Sequence, residues 1–303
     1  MKNSRDLLIK TISIASIIMI IFCSGLVVSI LKKDNKMQQE TESSSVTNSA
    51  TVSNEQNIES RDNIVAKSEP YPFIIDDKAM QNKMKNDGKS NLIDNFVYLN
   101  REELPLTYKK LLVNHSDART YIISALTEKK ISFEEGQTID LKRKYPYYIQ
   151  WDRRWGANPL GVSDIAIGGC GPTVIAMALG GLLNDNNITP DKIADIENKA
   201  GYFSASGTSW GFFSYIANKY GVKSNNIGVN KNNLDKSLEK NNPVVASVIP
   251  GKFTTVGHII LIVGKDSEGK YIINDPNSYV RTLKSWSYDE LKTEIRNMWE
   301  FSK

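Results

Sequence analysis

The sequence predicts an α+β fold in its C-terminal half, with an apolar helix that precedes an antiparallel sheet. A Gly-rich turn leads into the apolar run 173–183 (TVIAMALGGLL), which has the length of a buried helix of about three turns. Short runs rich in β-branched residues follow at 244–249, 256–263 and 271–273. A helix followed by successive strands is typical of an α+β domain.

Bulk composition excludes several classes of protein. The 303 residues are 40% hydrophobic and 24% charged, as expected for a globular chain. The formal net charge of +4 is small and is not gathered in a basic block, so we expect no nucleic-acid partner. The two histidines and two cysteines lie in different regions, which argues against a structural zinc site. We expect no metal and no cofactor.

The N-terminal region predicts a membrane anchor. Residues 11–31 are 21 residues without a charge, and as a helix they would span about 31 Å, close to the thickness of a bilayer core. Basic residues flank this stretch on both sides, so the charges leave its orientation undecided. We expect residues 1–36 to form a single transmembrane anchor. A cleaved secretory signal is the alternative, although no Ala-x-Ala cleavage pattern is present.

Residues 37–69 are rich in Gln, Glu, Ser, Thr and Asn. Apolar residues are too sparse there to offset the entropy cost of ordering the backbone, so the composition predicts a disordered tether. A polar stalk after a single span fits a domain held outside the cell membrane. A disordered tail without a spatial role is the alternative.

A helical segment is expected over 70–144, ahead of a catalytic domain over 145–303. Apolar residues recur at helical spacing from Leu104 to Lys130, which predicts two short helices broken near Asn114 to Ser116. His115 falls at this break, and we expect it to be an exposed loop residue.

Cys170 is the candidate nucleophile. Cys23 lies inside the apolar N-terminal stretch, so a disulfide is implausible and Cys170 is expected to be a free thiol. It sits in a Gly-Gly-Cys-Gly-Pro-Thr turn, and Pro172 suits the first turn of a helix. A thiol at a helix start meets unpaired N–H groups and the helix dipole, both of which favour the thiolate. A small buried cysteine that fills a turn is the alternative.

His258 and Asp275 are the candidate base and the residue that orients it. The run from Val256 to Asn277 reads as a hairpin, because two apolar runs flank the Asp-Ser-Glu-Gly turn signal. Pairing Lys265 with Lys270, or shifting that pairing by one step, places His258 and Asp275 diagonal or opposite on one face. A carboxylate beside an imidazole fixes its tautomer and stabilises its cation. A histidine satisfied by a neighbouring Asp as plain structure is the alternative.

Four motifs occur in order between about Tyr145 and the C-terminus. They are Gln150-Trp151-Asp152, Gly169-Cys170-Gly171-Pro172-Thr173 with Ala176-Met177, Gly257-His258 and Asn274-Asp275-Pro276-Asn277. Together they resemble the papain-like cysteine peptidases of family thirty-nine, relatives of the double-glycine leader peptidases found on bacteriocin exporters. The resemblance implies a papain-like fold, with the Cys-bearing helix packed on an antiparallel sheet that carries His and Asp.

The resemblance also implies catalytic roles. Cys170, His258 and Asp275 would form the triad, and Gln150 would donate to the oxyanion alongside the Cys170 amide. One departure is that the exporter-linked enzymes carry this glutamine closer to the cysteine, where the present chain has Asp164. The sequence has no GxxxxGK[ST] motif, so we do not expect an exporter polypeptide.

The function expected from the sequence is an extracytoplasmic cysteine peptidase that acts on peptide or protein substrates and contacts the membrane through its N-terminal helix. Two alternatives remain open. One is a cell-wall peptide amidase or endopeptidase that uses the same chemistry. The other is an inactive module that only binds peptides.

Overall fold

A computed structural model describes residues 69–90, 92–127, 138 and 140–303. The predicted anchor, residues 1–36, lies outside these residues, as does the predicted tether apart from Glu69. In the part of the chain that is described, no helix combines the length and the apolar character needed to cross a bilayer.

The described residues between 69 and 127, called the N-terminal segment below, are mainly helical. Its break falls at His115, where the sequence predicted one, and Asp76 caps the first helix through the Ala79 amide. His115 itself is only 4% exposed, so the expectation of an exposed loop histidine is wrong. The helices are α1 (Asp77–Gly88), α2 (Leu92–Leu99), α3 (Leu106–Asn114) and α4 (Arg119–Thr127), with 3-10 turns at Arg101–Glu103 and Ser116–Ala118.

One central helix, α6 (Cys170–Leu183), is apolar on every side. All residues from Gly171 to Leu182 are buried in it, as expected for a helix enclosed within a domain. The elements of this region are β1 (Pro159–Leu160), β2 (Ser163–Asp164), α5 (Ile165–Gly168), α6 (Cys170–Leu183), α7 (Pro190–Ala200), β3 (Phe203–Ser204), β4 (Gly207–Thr208) and α8 (Gly211–Lys219).

A six-stranded sheet forms the C-terminal part. The elements are β5 (Lys223–Asn226), α9 (Lys231–Glu239), β6 (Val244–Val248), β7 (His258–Lys265), β8 (Tyr271–Asn274), α10 (Tyr279–Leu283), β9 (Ser285–Trp286), α11 (Tyr288–Lys292) and β10 (Ile295–Ser302). The strand order is β5-β10-β6-β7-β8-β9, and every neighbouring pair is antiparallel. The chain is therefore a mixed helix and sheet protein.

Both faces of the sheet are buried. Val245 and Leu261 join one hydrophobic cluster with α6 and the N-terminal helices. Val244 and Ile260 join a second cluster with Leu234 of α9. Burial on two sides explains why β6 is apolar at consecutive positions instead of alternating.

The hairpin of β7 and β8 has a different register from the predicted one at its turn. Lys265 faces Tyr271 and not Lys270, and the register shifts between Ile262 and Gly264. An extra residue on one strand is a β-bulge, which re-aligns the pairing along the remainder of the hairpin. The predicted pairing of residues is therefore wrong at this turn.

The segment 145–150 lies along α6. The Tyr148 amide donates to the sulfur of Met177 at 3.3 Å. At Gly181, an added Cβ would lie 2.2 Å from the Cδ1 atom of the Tyr145 ring. This approach is possible only because glycine has no side chain.

We expect Gly181→Ala to lower the free energy of unfolding by about 1–3 kcal/mol, because the new methyl group overlaps Tyr145. Gly180→Ala is the matched control. Its Cβ would lie 3.3 Å from Pro146, and replacing a helical glycine offers a gain of about 1 kcal/mol. Chemical denaturation of both variants checks this, and equal effects would contradict the close packing of Tyr145.

Candidate active site

Cys170 is the first residue of α6, where backbone N–H groups lack intrahelical partners. Its thiol is free and half-buried. The chain is tightly packed on both sides of it. A Cβ at Gly171 would lie 2.0 Å from the Thr208 hydroxyl oxygen, and one at Gly169 would lie 2.4 Å from the Ile165 carbonyl oxygen. The two glycines therefore allow the thiol-bearing turn to sit against its neighbours.

His258 is the first residue of β7 and is buried. Its Nε2 donates to Asp275 Oδ1 at 2.8 Å, and its ring also interacts with the Cys170 side chain. Leu261 pairs with Asn274, so Asp275 follows as a diagonal neighbour of His258. The structure thus brings together three residues that come from a helix start and from two adjacent strands.

The electrostatic surroundings of His258 favour its charged form. Burial lowers the pKa of His258, but the Asp275 carboxylate and the Cys170 side chain outweigh it and raise that pKa to about 9. The imidazolium is therefore the prevailing form at neutral pH. A cation next to the sulfur stabilises a thiolate.

Asp275 is fully buried and accepts several hydrogen bonds. Its Oδ1 accepts from the Asn277 amide at 2.9 Å as well as from His258, and its Oδ2 accepts from Arg281 Nε at 2.6 Å. Burial alone would raise the pKa of Asp275, but the charges of Arg281 and His258 hold it well below the usual range. The carboxylate therefore stays ionised.

The ion pairs extend beyond Asp275 into the N-terminal segment. Arg281 Nη1 lies 3.3 Å from Glu69 Oε2, and His115 Nδ1 lies 2.9 Å from Glu69 Oε1. Glu69, the last residue of the predicted tether, is thus buried and paired. No sequence pattern indicated Arg281 or Glu69. The only signal for His115 was that it is one of two histidines in the chain.

Gln150 bonds both to the residue after Asp275 and to the short helix before Cys170. Its backbone amide donates to the Pro276 carbonyl, next to Asp275, at 2.8 Å. Its side-chain Nε2 donates to the Ala166 carbonyl at 2.8 Å, four residues before Cys170. Its Oε1 is buried and has no hydrogen-bond partner among the described residues.

Asp164 caps the short helix that leads to the thiol. Its Oδ1 accepts from the Ile167 amide at 2.9 Å, and its Oδ2 accepts from the Tyr108 hydroxyl. Both carboxylate oxygens of Asp164 are therefore used in contacts that stabilise the structure around this helix. Within the described residues, no group of three or more His, Cys, Asp or Glu side chains is arranged to hold a metal ion.

Comparison with known proteins places residues 142–303, more than half of the chain, within the family described as Peptidase_C39 like family. Seven chains of known structure match. The peptidase domain of Streptococcus ComA, a bi-functional ABC transporter involved in quorum sensing, is 19% identical, with 45% of this chain and 91% of that chain covered and a TM-score of 0.34. A putative C39-like peptidase from Bacillus anthracis is 16% identical, with 56% and 98% covered and a TM-score of 0.32. No curated protein matches.

We expect the stability that His258 contributes to disappear at alkaline pH. Its pKa is about 9 when folded against 6.5 when unfolded, so the contribution is complete below pH 6.5 and is lost as the pH rises through 9. The free energy of unfolding of the wild type, minus that of His258→Gln, should fall across this window. A difference that stays constant from pH 6 to pH 9.5 would contradict the raised pKa.

Proposed function

The chain belongs to the Peptidase_C39-like family and is a cysteine-type peptidase, and we propose that Cys170, His258 and Asp275 are its catalytic triad. The observation that carries this proposal is the buried contact between His258 and Asp275, with the Cys170 side chain on the same imidazole. A nucleophile, a base and an orienting carboxylate in this order are what thiol activation requires. The packing of the Cys-bearing helix on an antiparallel sheet supports a papain-like fold.

In the proposed reaction, His258 already holds the proton that it has taken from the thiol, and the thiolate of this ion pair attacks the carbonyl carbon of the scissile peptide. A C–S bond forms and the carbonyl oxygen becomes an oxyanion. The imidazolium then gives its proton to the leaving amine, and the C–N bond breaks to leave a thioester on Cys170. Water attacks this thioester with His258 as base, releasing a carboxylate product and the free thiol.

Asp275 holds the imidazole in its productive orientation. Because Nε2 is bound to Asp275, the Nδ1 atom is left to exchange a proton with the sulfur. Asp275 stays ionised, since its own pKa is lowered by Arg281 and His258 against the effect of burial. Its negative charge therefore supports the imidazolium throughout the cycle.

Gln150 is the proposed side-chain donor to the oxyanion, together with the backbone N–H of Cys170. The carboxamide nitrogen has two hydrogens, and one of them makes the short bond to Ala166. The second, whose nearest acceptor is the Ile167 carbonyl at 3.5 Å, remains for a stronger partner. An oxyanion is such a partner, because hydrogen bonds to a charged oxygen are stronger than those between neutral groups.

We further propose that this peptidase works outside the cytoplasm. The uncharged stretch 11–31 would be its single membrane helix, and the polar residues that follow would be the tether. Its substrates would then be peptides or proteins on that side of the membrane. A cell-wall peptide is the alternative substrate for the same chemistry, and an assay that includes muropeptides distinguishes the two.

For the full-length chain in detergent, Cys170→Ala should abolish peptide hydrolysis, with a loss of about 10⁴-fold or more, because the attacking sulfur is gone. Cys23→Ala is the matched control, since it removes the other cysteine and should leave turnover unchanged. In the Cys23→Ala background, a peptidyl thiol-directed probe should label Cys170 at pH 6, and His258→Ala should slow that labelling strongly.

Retention of hydrolysis by Cys170→Ala would contradict the proposed nucleophile. Labelling that proceeds equally fast with and without His258 would contradict thiol activation. Binding of peptides without any turnover by the wild type would favour the peptide-binding module instead.

Gln150→Ala should lower kcat by about 10²-fold while KM changes little, because an oxyanion donor acts mainly in the transition state. Steady-state kinetics with a cleavable peptide measures both constants. Gln81→Ala, which removes an exposed amide bonded to Asp77, serves as control. A folded Gln150→Ala enzyme with a kcat within twofold of wild type would assign the oxyanion to other donors.

A further inference from the structure

Both carboxylate oxygens of Glu69 are bound. Oε1 lies 2.9 Å from His115 Nδ1, while Oε2 accepts from the Ser278 hydroxyl at 2.8 Å and from Arg281 Nη1 at 3.3 Å. The Glu69 side chain is only 6% exposed. A buried carboxylate with this many donors is fixed in position, because leaving any of the donors unpaired would be costly.

Arg281 connects Glu69 to the triad. Its Nε donates to Asp275 Oδ2 at 2.6 Å, and its Nη1 donates to Glu69. Its third nitrogen, Nη2, donates to the Asn277 carbonyl at 3.3 Å. The planar guanidinium therefore holds the Glu69 and Asp275 carboxylates in one geometry.

The stretch that carries Glu69 is itself pinned. The Asn114 carboxamide accepts from the Ile74 amide at 2.8 Å and donates to the Ile74 carbonyl at 3.0 Å. The Arg281 guanidinium lies over the Phe73 ring, 5.6 Å from its centroid. The His115 ring packs on Trp151, next to Gln150, with the ring centroids 5.1 Å apart.

The same N-terminal segment also reaches the thiol-bearing side. The Tyr108 hydroxyl donates to Asp164, which caps the helix just before Cys170. The Tyr121 hydroxyl donates to the Gly156 carbonyl at 3.3 Å. The segment therefore contacts the supports of both the nucleophile and the orienting carboxylate.

We propose that Glu69 is a positioning residue of the peptidase: through Arg281 it fixes Asp275, and through Asp275 it fixes His258. Residues 69–127 would then be a working part of the catalytic unit, although they lie outside the matched family region 142–303. The inference rests on the proposed triad and extends it.

The physical reason is charge compensation. With Glu69 neutral, the buried Arg281 cation has only Asp275 as a charged partner. The positive charge of Arg281 is then less compensated. The electrostatic potential at the His258 imidazolium becomes less negative, so this cation is less stabilised. Among the described residues, the charged or titratable groups that act on His258 are Asp275 and Cys170, so Glu69 acts through the first of these.

The test is Glu69→Gln in the full-length chain, which keeps the shape and removes the charge. We expect kcat to fall about ten- to hundredfold with KM within about twofold, and the alkaline limb of the kcat/KM profile to move to lower pH. Asp87→Asn is the matched control, since it removes one carboxylate charge from the half-buried Lys83 pair of the same segment. Glu69→Asp, which restores the charge, should give an intermediate kcat.

A second readout does not require activity. With only two histidines in the chain, NMR titration resolves His258 once His115→Gln has assigned the signals. The pKa of His258 should fall in Glu69→Gln and stay unchanged in Asp87→Asn. Glu69→Gln should also add little to the loss of probe labelling in an Asp275→Asn background, because coupled residues are not additive.

Wild-type kcat and an unchanged His258 titration in folded Glu69→Gln would overturn the proposal. If Glu69→Gln does not fold, Glu69→Asp decides it, because its shorter side chain draws the carboxylate away from Arg281. An intermediate kcat with a smaller fall in the pKa of His258 would support the proposal, and wild-type values of both would overturn it. Failure of the proposed triad is recognised by a separate result, the retention of hydrolysis by Cys170→Ala. That result does not change the NMR comparison of the Glu69 variants.

Discussion

The packing of α6 between the sheet and the segment 145–150 determines where the reactive groups meet. Because α6 is buried along its length and contacts β7, packing fixes the position of its first residue, Cys170, next to that strand. The same contact holds the segment 145–150, which places Gln150 between the Pro276 and Ala166 carbonyl groups. A site assembled on a helix start and on strand ends is held more precisely than one carried by loops.

A chain of alternating charges is built on this packed frame. Moving an ion out of water costs several kcal/mol, and the cost is recovered only where each ion has a well-placed partner. His258, Asp275, Arg281 and Glu69 alternate in sign, and each contacts the next. Arg281 and His258 together hold the pKa of Asp275 below its usual range, and Asp275 and Cys170 together raise the pKa of His258. The groups proposed for catalysis are thus also groups whose removal leaves a buried charge unpaired.

Local patterns in the sequence were enough to predict the helix at Cys170, the hairpin of His258 and Asp275, and the mixed helix and sheet class. These features depend on neighbouring residues, on a glycine-rich turn and on runs of apolar residues. The register at the Lys265 turn was mispredicted because nothing in an apolar run announces a bulge. The pairing of Glu69 with Arg281 was missed because its partners are 212 residues apart and neither belongs to a motif.

The residues that 69–127 contact in the remainder of the chain indicate the role of this segment. An inhibitory pro-segment acts by occupying the cleft and touching the nucleophile. Among the described residues, the hydrogen bonds from this segment to the remainder of the chain reach Arg281, Ser278, Asp164, Gly156 and their neighbours, and none reaches Cys170 or His258. These contacts support the residues around the triad and do not involve the reacting atoms. A segment that contacts the supports, leaves the sulfur free and supplies a buried counter-charge has the features of a scaffold for the active site.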